Sequence, residues 1–145
     1  QLNQNKFDNE IMAINIKADG LSLEISKLIK KYNLSNYFIF DMSIPEMLHY
    51  KNAGLKYFSR LSEFENNPIM LNNAAGVWLD AFKSEWYDKV FINKLLGKVN
   101  KVCIVSAELH GRDCSHQWEL INGLKDQNNL MLCTDKPNEA RGYFK

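Results

Sequence analysis

The sequence has no long apolar run, no excess of charge of either sign and no cysteine framework, and each absence removes a class of protein. No apolar stretch approaches the roughly 20 residues that a membrane-spanning helix needs, so no membrane span is expected. Lys plus Arg total 18 and Asp plus Glu 17, for a net charge of +1, and bulk electrostatics therefore favours neither nucleic acid nor an anionic bilayer. The three cysteines, Cys103, Cys114 and Cys133, are odd in number and lack any C-x-x-C spacing. They read as reduced thiols of a cytoplasmic protein, with neither a disulfide framework nor a zinc site expected. No G-x-G-x-x-G follows the first apolar run, where Gly20 stands alone, which argues against a dinucleotide-binding turn. No G-x-S-x-G elbow points to a serine hydrolase. A charged-then-apolar leader is also missing, and a start on Gln1 in place of Met suggests a fragment.

What is present is ordinary globular composition, 46% hydrophobic and 24% charged, in a chain of 145 residues that is long enough for one domain. Six short apolar runs recur, at residues 12–16, 37–40, 56–58, 76–79, 101–105 and 130–133. They are rich in Ile, Val and aromatic residues and short enough for buried strands. Helical patterns lie between most of them. Residues 23–32 place Ile25, Leu28, Ile29 and Tyr32 on one stripe, with Lys27, Lys30 and Lys31 turned away. Pro45 suits a helix's first turn, and Gly54 stands where a helix end wants a positive φ. Residues 86–96 repeat apolar positions at Trp86, Val90, Phe91 and Leu95 before Gly97. A shorter helix is expected at 117–124, and a last one at 137–144 with Asp135 as its N-cap. Residues 64–73, with Asn66-Asn67-Pro68, read as a loop with at most a brief helix. This alternation predicts one α/β domain over residues 1–145, with parallel strands joined by helical crossovers.

The chemistry follows the runs. Lys17 and Asp19 come after the first, Asp41 and Ser43 after the second, and Arg60, Ser62 and Glu63 after the third. Asp80 follows the fourth, Ser106, Glu108 and His110 the fifth, and Thr134 and Asp135 the sixth. In parallel α/β folds the C-terminal strand ends face one way, so these groups are expected on one rim. Alternation along a strand sets Asn15, Lys17 and Asp19 on one face, and Trp78 with Asp80. Lys, Arg and carboxylates around a mouth suit a small anionic or polyhydroxylated ligand.

Each member also has a plainer reading. Asp135, Asp41 and Ser43 stand where helix caps stand. Arg60 with Glu63 reads as a surface ion pair of little energetic weight. His49 falls within a helix and is expected on the surface, and His116 near a helix start. Trp78 is either core or a stacking platform. Lys17 must reach solvent or pair with a carboxylate, and His110, just past a strand, is the best titratable candidate.

The succession Ile14-Asn15-Ile16-Lys17-Ala18-Asp19-Gly20, Phe38-Ile39-Phe40-Asp41-Met42-Ser43 and Phe58-Ser59-Arg60-Leu61-Ser62-Glu63 is followed by Gly76-Val77-Trp78-Leu79-Asp80. It closes on Leu132-Cys133-Thr134-Asp135-Lys136-Pro137. Together these resemble the glycerophosphodiester phosphodiesterase-like TIM barrels, particularly a bacterial branch. The order and spacing of the five motifs carry the likeness, from Met12 onward. The resemblance implies a (β/α) barrel of which this chain supplies the third to eighth strands. The first two would carry a His-Arg-Gly motif, a second histidine and a metal-binding Glu-x-Asp pair. It implies hydrolysis of a glycerophosphodiester, a step of lipid metabolism, by acid–base catalysis from those N-terminal histidines with a divalent metal, Mg²⁺ or Ca²⁺, polarising the phosphoryl oxygen. Lys17 matches the family's third-strand lysine and would stabilise phosphate charge. The glutamate expected two residues earlier is Asn15, an amide without the charge that holds a hard cation, so Asn15 and Asp19 would be weak metal ligands. The residues that would contact substrate, taken from rim position, are Arg60, Asp80, Glu108, Asp41, Trp78 and His110. The chain alone is expected to be inactive. The alternative is a catalytically inactive ligand-binding protein, or one of glycan biosynthesis, on the same barrel.

Overall fold

The computed structural model describes residues 10–145. Their contacts gather into two compact units where the sequence suggests one domain. The first runs to Phe58 and adds Asn73–Ala75; the second comprises Ser59–Asn72 and Gly76–Lys145. Elements follow the alternation read from the sequence: β1 (Met12–Asn15), α1 (Ser22–Lys31), β2 (Tyr37–Phe40), α2 (Ile44–Asn52), β3 (Phe58–Leu61), β4 (Gly76–Leu79), α3 (Lys89–Leu96), β5 (Val102–Val105), α4 (Ser115–Asn122), β6 (Leu130–Cys133) and α5 (Pro137–Tyr143). Short 3-10 turns stand at Leu71–Asn73 and Ala107–His110. The fold is mixed α/β with parallel strands. No helix among the described residues is long and apolar enough to cross a membrane.

In the first unit β1 and β2 pair in parallel, with Ala13 opposite Phe38 and Asn15 opposite Phe40. β2 is buried at every position, whereas β1 alternates half-buried and exposed residues and leaves Asn15 on the exposed side. Ile39 bridges Tyr57 in parallel, and the Phe38 and Phe58 rings stack 3.8 Å apart. α2 begins as Pro45 suggests, with Ser43 capping it by accepting the Glu46 N–H. It ends before Gly54, whose φ of 69° lets the chain turn where a side chain would be strained. On α1 Ile29 is buried and Ile25 and Tyr32 half-buried, but Leu28 is exposed.

The second unit holds a sheet in the order β3-β4-β5-β6, with β4, β5 and β6 parallel. β4 and β5 are buried throughout, as expected of parallel strands covered on both faces. Val77, Leu79, Val102 and Ile104 share one cluster with Ile92 and Leu95 of α3, Ile121 of α4 and Leu124. Helices α3 and α4 thus cover the same face of consecutive strands. Alternation sends Trp78, Asp80 and Cys103 to the opposite face.

Three readings need correction. α3 starts at Lys89, not at Trp86, because Asp88 caps it through the Phe91 N–H. The turn of α3 that packs is therefore Ile92 and Leu95, and Val90 is exposed. Lys136, not Asp135, stands at the N-cap of α5, and no side chain bonds there, since Pro137 already opens the helix. The third strand runs past the 56–58 run to Leu61.

Candidate functional site

In the second unit the groups that follow β4, β5 and β6 meet. Asp80 is one residue past β4, with its side chain 8% exposed, and Oδ1 lies 2.6 Å from His110 Nε2. A carboxylate can only accept hydrogen bonds, so with Asp80 ionised the hydrogen of this contact sits on Nε2, and a neutral imidazole so bonded has its lone pair on Nδ1. Oδ1 also accepts the Ala81 N–H at 2.8 Å. The Asp80 backbone is held on both sides, its N–H by the Leu61 carbonyl and its carbonyl by Trp86 Nε1. His110 ends the 3-10 turn after β5, and Gly111 leaves that turn at φ 71°. The Phe82 ring packs against the imidazole at 4.8 Å.

Glu108, on the same turn, accepts from Ser106 Oγ, from Thr134 Oγ1 and from the Asp135 N–H, and Trp118 Nε1 donates to Ser106 Oγ. The carboxylate joins the ends of β5 and β6. Burial pushes its carboxyl up, but the Ser106, Thr134 and backbone hydrogen bonds outweigh that and hold it below the usual carboxylate range. Buried Gln117 of α4 bridges beneath the same turn, accepting from the Ala107 N–H and approaching Tyr87 Oη and the Val105 carbonyl with Nε2.

Arg60 pairs with Glu65, not with Glu63, through two guanidinium nitrogens. Ser62 and Glu65 exchange backbone bonds across a tight turn, which brings residue 65 back to the strand. Glu63 instead accepts the Phe82 and Lys83 N–H groups. Arg112 binds Glu85 at 2.6 Å and the Ala81 carbonyl at 2.6 Å, fixing the loop after β4. Burial raises the Glu85 carboxyl, but the Arg112 bond, a bond to its own backbone and the Arg112 and His116 charges together outweigh that and lower it. Trp78 is buried.

The first unit carries a separate cluster. Lys17, Asp19, Asp41 and Ser43 line a cavity of about 410 Å³ past the ends of β1 and β2. Lys17 Nζ lies 2.7 Å from Asp41 Oδ2, with the lysine side chain 73% exposed, and Ser43 Oγ donates to Asp19 Oδ1 at 3.1 Å. Asp41 adopts φ 67°, a left-handed backbone that Asp tolerates better than most residues. His49 is exposed on α2, and His116 is the second residue of α4.

The residues do not fit a divalent cation. Asn15 is an exposed amide and Asp19 is engaged by Ser43. Among the described residues no three His, Cys, Asp or Glu side chains are arranged to hold one.

Sequence reasoning missed Gln117, Glu65 and Arg112. Gln117 gave no signal, because a polar residue in a helical pattern reads as surface. Arg112 follows His110-Gly111 directly, and a glycine just past a candidate histidine marks a turn whose next side chain swings back toward the strand ends.

Comparison with family models, with curated proteins and with solved structures finds no match for this chain.

Proposed function

We propose that the chain belongs to a (β/α)-barrel phosphoric diester hydrolase of the glycerophosphodiester type, with His110 as general acid–base and Asp80 as the group that orients it. The observation that carries this reading is the Asp80–His110 contact at the C-terminal end of consecutive parallel strands, the end where barrel enzymes place their chemistry. Sequential strand order, with helices on one face, supports the barrel. The substrate class rests on the sequence resemblance.

In the proposed step His110 Nδ1 takes a proton from the attacking water as the water oxygen bonds phosphorus and the bond from phosphorus to the departing alcohol breaks. The imidazolium then returns a proton to the departing alcohol oxygen. Asp80 fixes the tautomer and offsets the charge formed on the ring. No step is assigned to a metal. The test is hydrolysis of a panel of glycerophosphodiesters by the full-length gene product, with Mg²⁺, Ca²⁺ or chelator. Release of glycerol phosphate that falls in Asp80→Asn supports the reading; a folded protein inert towards the whole panel ends it.

One observation favours a non-catalytic binder of polyhydroxylated ligands instead. Lys17, Arg60 and Arg112 each already face a carboxylate, which weakens their pull on phosphate. Equilibrium binding of glycerol or hexoses with no turnover of any diester would support that reading.

A further inference from the structure

Beside His110 the second unit holds out hydrocarbon on a rigid support. Phe64 is 63% exposed and Phe82 38%, and their rings lie 5.8 Å apart at 45°. Phe82 also meets the His110 ring. Isolated exposed apolar side chains are common and mean little. Here the exposure is imposed by an over-determined turn. Ser62 and Glu65 close it with two backbone bonds, Ser62 Oγ accepts from the Phe64 and Glu65 N–H groups, and Arg60 grips the Glu65 carboxylate. Glu63 then ties the turn to the neighbouring loop by accepting the Phe82 and Lys83 N–H groups at 3.2 and 2.7 Å. Burial raises the Glu63 carboxyl, but those bonds, one to its own backbone and the Arg112 charge together lower it more, so the tie holds at neutral pH.

The polar groups of the turn itself are committed within the protein. What remains is a two-ring wall and the Lys83 ammonium, 5.2 Å above the Phe64 ring. That combination fits an amphiphile with one hydrocarbon chain and an anionic head.

We infer that Phe64 and Phe82 form a subsite for the hydrocarbon chain of a single-chain anionic phosphodiester, with Lys83 facing its head group. This rests on the proposed diester site, and it names the side of the substrate that lies beyond the reacting phosphorus. The wall is held in its binding position before the ligand arrives, so little ordering cost opposes chain burial.

The test uses glycerol esters of hexylphosphonate and methylphosphonate, whose P–C bond cannot be hydrolysed, and measures binding to the full-length protein by calorimetry. Each methylene removed from water favours binding, so the hexyl probe should bind at least about tenfold more tightly than the methyl probe. The Phe64→Ser, Phe82→Ser double variant changes only exposed rings and should remain folded by circular dichroism. It should reduce the preference to less than about threefold, and Lys83→Ala should weaken both probes and flatten their salt dependence. Equal binding of the two probes, or a preference that survives the double variant, would overturn the subsite. Turnover of the methyl diester without chain preference would leave the hydrolase reading standing alone. Chain preference without turnover of any diester would keep the subsite and remove the catalysis.

Discussion

The two units both place polar groups past the ends of parallel strands, but they hold them differently. In the first, Lys17 and Asp41 pair in solvent, and Ser43 serves a helix start. In the second, Asp80, Ser106 and Gln117 are buried and hydrogen-bonded, and His110 and Glu108 are joined to them. The difference teaches that residue type at a strand end is a weak guide to role. Burial decides whether a polar group is fixed in one geometry, because an unpaired group costs little in water and much in a core.

The largest expected break in this contrast is catalytic. Asp80→Asn should lower kcat/KM for a glycerophosphodiester by about 10²–10⁴-fold, the usual worth of acid–base assistance. Next is Gln117→Leu, which leaves the Ala107 N–H, the Val105 carbonyl and the Tyr87 hydroxyl without their partner. At about 1–3 kcal/mol for each stranded group, a loss of at least about 3 kcal/mol is expected in urea unfolding. In the first unit Ser43→Ala should cost about 1 kcal/mol through the lost cap. Lys17→Ala should change stability by no more than about 1 kcal/mol, because that pair is exposed.

Acid sharpens the same comparison. Glu63, Glu85 and Glu108 all belong to the second unit, and their carboxyls lie below the ordinary range when folded. Groups with depressed folded pKa values contribute stability above the unfolded value, and it is lost as pH falls through the folded one. Thermal unfolding followed from about pH 7 to about pH 3 should show a decline below the ordinary carboxylate range, near pH 4.3. Glu108→Gln should be less stable at neutral pH and show a shallower decline.

Much of the fold was legible because its signal is local. Runs at 37–40, 76–79 and 130–133 became strands with those limits, since each is a compact apolar stretch between turn residues. Pro45 and Gly54 marked α2 by fixed backbone chemistry. The start of α3 was misplaced because Trp86 and Tyr87 continue an apolar rhythm, while the Asp88 cap that interrupts it depends on a bond no periodicity reveals. The candidate site was legible as a set of residues and not as a set of partners. Asp80 and His110 stood out, but their contact spans 30 positions. Glu65 replaced Glu63 as the partner of Arg60 because the tight turn at Ser62 reverses the chain. Glu108, read as a ligand contact, is occupied by Ser106, Thr134 and a backbone N–H.

The most direct measurement is kcat/KM for glycerophosphodiester hydrolysis by the full-length protein and its His110→Ala variant, with folding of both checked by circular dichroism. The account predicts that the native protein releases glycerol phosphate and that the variant loses at least about 10²-fold. Undiminished turnover in folded His110→Ala would contradict it.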